Sequence, residues 1–201
     1  MEQSPKRTIL VTGFGPFRSH HVNASWEAVK ELGKLCSNSI EFQNIQLITK
    51  EIPVSYDHVS ESVSKLWKEH DPIIVLHVGV SKNAGCLTLE RHAHSAGYKQ
   101  LDICNKCPNE NNIDVCVVET NVNVKELCNV INESFDETGC KACISNDPGR
   151  YLCEYIYYQS LCIEPLKTLF VHVPDFNVYS SEQTAKGLHK ILCYMIKDLA
   201  I

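Results

Sequence analysis

"PIIVLHVGV", residues 72–80, is the stretch on which the fold reading turns. It is short, almost wholly apolar and rich in β-branched residues, the composition of a strand inside a sheet. Upstream, "SYDHVSESVSKLWKEH" (55–70) reads as a helix and "QLITKEI" (46–52) as a strand broken by Pro53. Further back, Asn23 is placed to cap a helix through "ASWEAVKELGKL", and "RTILVT" (7–12) is a buried strand ended by Gly13. Downstream, 93–114 is polar and irregular and reads as a long excursion. "VCVVET" (115–120) is strand-like again. Asn123 and Glu126 then have the spacing of a capping box, with Val124, Leu127, Cys128, Ile131 and Phe135 at helical intervals behind them. "KACIS" (141–145) and "LFVHV" (169–173) are two more strands, with "YLCEYIYYQSLC" between them as helix. A last helix, opened by "SSEQ", carries the stripe Leu188, Ile191, Leu192, Met195, Ile196 and Leu199. Strands alternating with helices predict an α/β fold: one domain over residues 1–201, with a mainly parallel, twisted sheet covered on both faces.

Composition narrows the function classes. The 201 residues are 44% hydrophobic and 21% charged, ordinary for a globular chain. A net charge of −5 argues against a nucleic-acid partner. No segment reaches the roughly 18 to 20 apolar residues that span a bilayer, and the start lacks the pattern of a secretion signal. The 11 cysteines, odd in number and irregularly spaced, then read as free thiols of a reducing, cytoplasmic setting.

In open α/β sheets ligands bind beyond the carboxyl ends of the strands. "GFGPF", "GVSKNAG", "SNDPGRYLC" and His172 all fall at such ends. "TGFGPF" (12–17) is no phosphate loop: it lacks the third glycine of G-x-G-x-x-G, and Pro16 has no N–H to offer. Phe14 and Phe17 suit a flat apolar ligand, or else plug the core beneath the loop. Cys104 and Cys107 form one C-x-x-C, with Cys116, His92 and His94 at irregular spacing. Structural zinc usually needs two such knuckles, so a surface thiol pair is the better reading.

A nucleophilic thiol needs help to ionise, and a helix N-terminus or a neighbouring imidazolium supplies it. Cys153 follows the turn "SNDPGR" at the front of a predicted helix, whereas Cys128, Cys162 and Cys193 lie in mid-helix or late. His172 in "LFVHVP" is a candidate base at a strand end, while His77 reads as buried inside its strand. Glu90 in "LTLER" is a possible orienting acid, but by spacing it is one of 24 acids and could simply pair with Arg91.

"TGFGPF", "VNASWEAV", "HVGVS", "LTLER", "GRYLCEYIYY" and "FVHVP", in this order from about Thr8 to Leu199, resemble the pyroglutamyl-peptidase family of cysteine peptidases, also called pyrrolidone-carboxylate peptidases, in its animal cytosolic form. The resemblance implies an α/β/α sandwich and an exopeptidase that removes N-terminal pyroglutamyl residues from peptides. It places the nucleophile on Cys153, the base on His172 and the orienting acid on Glu90. Phe14 and Phe17 would line the lactam pocket, Asn23 would fix a polar edge, and backbone near Val80 would add hydrogen bonds. No metal or organic cofactor is implied, and an animal-type member is expected to be a monomer. Two departures stand out: Pro148 where the family often has Ala, and Glu154 where it has Asn or Asp. Pro148 stiffens the turn and removes an N–H. Glu154 puts negative charge beside the thiol. The competing readings are a non-catalytic binder of pyroglutamyl peptides and a zinc or redox module built on Cys104 and Cys107.

Overall fold

The computed structural model describes residues 7–17, 21–109 and 114–199. Its elements begin with β1 (Arg7–Phe14), α1 (Ala24–Ser37), β2 (Ile45–Ile52), α2 (Tyr56–His70) and β3 (Ile74–Val80). Three short strands follow, β4 (Leu87–Glu90), β5 (His92–His94) and β6 (Val117–Glu119), then α3 (Val124–Glu133) and the single turn α4 (Phe135–Thr138). β7 (Ala142–Ser145), α5 (Leu152–Ile163), β8 (Thr168–Val173) and α6 (Ser181–Asp198) complete the order. Among the described residues no helix is long and apolar enough to cross a membrane.

Six strands form one sheet in the order β2-β1-β3-β8-β4-β7. Every pairing in it is parallel except β4 with β8. Alternation along the strands sends Ile9, Val11, Leu76, Val78, Leu169 and Val171 to one face, where they meet Leu32 of α1, Leu127 of α3 and Leu188 of α6. The other face packs Phe14 and Phe170 against Val59 and Val63 of α2 and Ile156 and Tyr157 of α5. This is the expected three-layer α/β/α arrangement with a mainly parallel sheet.

The helix starts follow the capping chemistry read from the sequence. Asn23 Oδ1 accepts from the Ser25 N–H at 3.0 Å, and Asn123 Oδ1 from the Glu126 N–H at 3.1 Å. Ser180 Oγ accepts from the Gln183 N–H at 3.1 Å to open α6.

The middle of the chain departs from the sequence reading. "VCVVET" supplies only the three residues of β6, which leaves the main sheet and pairs antiparallel with β5. Val115 and Val117 face water, 80% and 53% exposed, while Val118 packs against the α2–α5 side of the core. The place in the main sheet belongs to "LTLE", four residues that are too few for a periodic pattern to declare itself. The excursion from 93 also begins with β5, and the loop beyond it is ordered by one carboxylate. Asp102 Oδ1 accepts from the N–H groups of Cys104 (2.8 Å) and Lys106 (3.0 Å), and Oδ2 from that of Tyr56 (2.9 Å) at the start of α2. Four backbone and side-chain hydroxyl bonds hold Asp102 below the usual carboxylate range despite the opposing pull of burial. The C-x-x-C turn is therefore shaped by Asp102. Cys104 and Cys107 are exposed, and among the described residues they join no cluster of metal-ligand atoms.

Candidate active site

The antiparallel seam between β8 and β4 builds the first half of the site. Glu90 faces Phe170 across it and Thr88 faces His172, so Thr88, Glu90, Phe170 and His172 share one sheet face. That diagonal lets the His172 Nδ1–H donate to Glu90 Oε1 at 2.7 Å, both groups buried. Glu90 is thus committed to His172, and the half-buried Arg91 turns instead to Glu119 at 3.4 Å. Glu90 Oε2 is buried without a partner among the described residues, while the backbone carbonyl of Glu90 is held by the Tyr157 hydroxyl at 2.8 Å.

Helix α5 brings the thiol to the same face. With Nδ1 taken by Glu90, the other ring nitrogen of His172 is left for the Cys153 side, and the two residues line the same cleft. Burial pulls His172 down, but the Cys153 sulfur and the Glu90 carboxylate outweigh it and push the imidazole up to about 10. His77, on the neighbouring strand β3, shows the opposite case. It is sandwiched between Thr12 Oγ1 (2.7 Å) and Ser160 Oγ (2.8 Å) with no charge nearby, and burial lowers it to about 3. It is a neutral core histidine.

Space for the sulfur comes from Gly79, the β3 residue paired with His172. A Cβ there would stand 2.7 Å from Cys153 Sγ and 2.7 Å from the buried ring of Phe170. Gly79→Ala is therefore expected to turn the thiol off its line to His172. Activity falls about 10²-fold for a displacement near 1 Å, while circular dichroism stays native. Wild-type kcat/KM in the purified variant would contradict this.

Cys153 also sits where two concavities meet. The smaller, about 50 Å³, is lined by Phe14, Phe17, Asn23, Val54, Val80, Tyr151, Leu152 and Cys153, room for a few water molecules or one small ring. The larger, about 600 Å³, is an open cleft that holds Glu90, His172 and Cys153 together with Thr88, Ser145 and Arg150. All four residues expected at the pocket thus lie on the smaller cavity. Phe14 and Phe17 also pack into the core, so lining and plugging are one role here. Asn23 is heavily engaged: Oδ1 accepts from the N–H and Oγ of Ser25, and Nδ2 donates to the Gly15 carbonyl at 2.9 Å. Its side chain fixes the shape of the "GFGPF" loop. The β1–β3 ladder ends at Gly13 and Val78, so the backbone of Val80 lies past its last β1 partner.

The turn before Cys153 differs from what its sequence suggests. Asp147 Oδ1 accepts from the Gly149 N–H at 3.1 Å, with Gly149 at φ 81°, so the turn is organised without an N–H at Pro148. Glu154 is fully buried, and its carboxylate is bound by the N–H of His94 (2.9 Å), the Nδ1–H of His94 (2.6 Å) and Arg150 (2.9 and 3.0 Å). Its charge is spent on that network. Burial pushes its carboxyl above the usual range, against the pull of His94 and Arg150. Among the described residues His94, Asp147 and Glu154 are the one group with metal-ligand spacing, but the Arg150 guanidinium already supplies their cation. The Tyr155 N–H is the first in α5 to find a partner, at Tyr151. Among the described residues, none accepts from the N–H groups of Leu152, Cys153 or Glu154.

A thiol, an imidazole and a carboxylate gathered on one face of an α/β sheet, beside open amides at a helix start, is the constitution of a cysteine hydrolase. The comparisons narrow the class to a family. The profile of the pyroglutamyl peptidase family matches residues 7–197, and the chain belongs to that family. It is 38% identical to human pyroglutamyl-peptidase 1 over 203 aligned residues, covering 98% of this chain and 92% of the human protein. The crystal structure of pyrrolidone carboxyl peptidase from Fervidobacterium islandicum is similar at TM-score 0.77 and 27% identity, over 96% of this chain and 99% of that one. The enzyme from Pyrococcus furiosus shares the fold at TM-score 0.82 and 23% identity, over 96% and 99% of the two chains.

Proposed function

We propose that this protein is a cysteine exopeptidase that removes N-terminal pyroglutamyl residues from peptides, with Cys153 as nucleophile, His172 as base and Glu90 as the acid that orients it. The observation that carries the reading is the line Glu90–His172–Cys153 at the mouth of a small, largely apolar cavity. The lactam ring occupies that cavity between Phe14 and Phe17, and its in-plane N–H and carbonyl meet the Val80 backbone. None of the lining residues carries a carboxylate, so a charged, open-chain N-terminus would bury an ammonium without a counter-ion.

The chemistry follows from the geometry. His172 holds the proton it shares with Cys153, and the sulfur attacks the carbonyl carbon of the pyroglutamyl residue. The oxyanion forms against the open N–H groups at the start of α5, a contribution of about 3 to 4 kcal/mol per lost donor in comparable sites. The C–N bond then breaks, the leaving amine takes the proton from His172, and water cleaves the thioester to free pyroglutamate and the thiol. Glu90 stays ionised throughout and stabilises the imidazolium. No step calls on a cofactor. With all 11 cysteines unpaired, a reducing cytoplasm is the compartment this reading favours, with the chain acting as one domain and as a monomer.

The test is release of a fluorogenic amine from its pyroglutamyl conjugate, with prolyl and glutamyl conjugates as controls. Turnover is expected on the first alone, since a site that hydrogen-bonds a lactam rejects analogues lacking it by about 10⁴-fold. Comparable turnover of the prolyl conjugate would remove the lactam from the recognition.

A further inference from the structure

Resting on that reading, we infer that Arg150 and Glu154 are positioning residues for the nucleophile: one guanidinium nitrogen fastens the turn before Cys153 to the first turn of α5 and, through His94, to the β5 strand. Arg150 Nη1 donates to Asp147 Oδ1 at 2.6 Å and to both oxygens of Glu154 at 3.0 and 2.9 Å. The loop closed by these bonds runs from Asp147 to Glu154 and so contains Cys153 and the open amides beside it. His94 ties the same carboxylate to a separate strand through its backbone and its ring. The aliphatic part of Arg150 lies over Gly97, whose φ of 106° and bare Cα leave it that room. The pyroglutamyl ring is bound in the small cavity, which neither residue lines, and Arg150 borders only the open cleft beyond it. Their effect therefore falls on the alignment of thiol and amides with the reacting carbonyl, a transition-state effect rather than a binding one.

The geometry makes a sharp demand. All three bonds leave from a single nitrogen, so a lysine ammonium, one bond shorter, keeps the charge and part of the hydrogen bonding where a neutral side chain keeps neither. Arg150→Met and Glu154→Gln are each expected to lower kcat about 10- to 100-fold on the pyroglutamyl conjugate, with KM within about two-fold. Arg150→Lys is expected to fall between Arg150→Met and the wild type. The double variant Arg150→Met/Glu154→Gln is expected to be no slower than the worse single one, because the pair acts as a unit. Turnover is counted per folded molecule, with the folded fraction taken from the cooperative unfolding transition by circular dichroism, so misfolded protein does not enter the rate. If Glu154→Gln does not fold, the Arg150 pair alone decides. Wild-type kcat in Arg150→Met, Arg150→Lys as slow as Arg150→Met, or a loss confined to melting temperature would each overturn the inference. Absence of turnover in the wild type would instead strike the proposed activity.

Discussion

Cys153→Ala is expected to release no amine from the pyroglutamyl conjugate while melting within a few degrees of the wild type. The loss is complete because no other described thiol stands in the same setting. Burial pushes Cys36 and Cys86 up to about 12 and Cys140 and Cys193 up to about 11, so these stay protonated and unreactive near neutrality. Cys193 does touch a histidine, His189, at 3.6 Å, but that ring turns its other nitrogen to Ser39 rather than to a carboxylate. Only Cys153 meets an imidazole backed by a buried glutamate. The stability cost is small because the side chain is partly exposed and loses one atom, on the order of 1 kcal/mol or less. The Ala variant keeps the cavity, so it should still bind pyroglutamyl peptide by calorimetry. Residual turnover at the wild-type rate would move the nucleophile to another residue.

Much of this arrangement is legible in the sequence alone. The apolar, β-branched runs at β1, β3 and β8 read directly as strands, since burial on both faces leaves little room for polar residues. Cys153 stood out through its position at a helix start. Glu90 did not: β4 is four residues long and antiparallel to β8, and nothing local marks either fact. Family resemblance picked it from 24 acids, and the seam register explains how it reaches His172. The charge of Glu154 misled for a related reason. Its partner His94 lies 60 residues away, on a strand too short to show a pattern, so the sequence displays the carboxylate without what offsets it. Asp102 is a further case, a polar residue in a seemingly structureless stretch that organises the loop by accepting backbone N–H groups from 46, 2 and 4 positions away.

Glu90→Gln separates the two things Glu90 does for His172. A glutamine is nearly the same size and fits the buried seam, but it no longer carries charge. If its amide nitrogen faces the ring it donates to Nδ1, which forces the proton onto the nitrogen that should take one from Cys153. If its oxygen faces the ring, the tautomer survives but the imidazolium loses its counter-charge. Either way kcat falls, by about 10³-fold or more by analogy with other triads whose acid is made neutral. Stability supplies an independent reading. The folded protein holds His172 up at about 10, against about 6.5 for an unfolded chain. A raised value means the folded state binds the proton more tightly. The resulting stabilisation is complete below about pH 6.5, where both states are protonated, and fades as pH climbs toward 10. Glu90 is one of the two groups that raise His172, so Glu90→Gln is expected to flatten this part of the profile. The measurement is the difference in urea midpoint between wild type and variant, taken at pH 6, 8 and 10 so that tyrosines and lysines common to both cancel. The gap should be widest at pH 6 and close toward pH 10. A gap that stays constant across this range would mean that Glu90 contributes shape to the seam and not charge to His172.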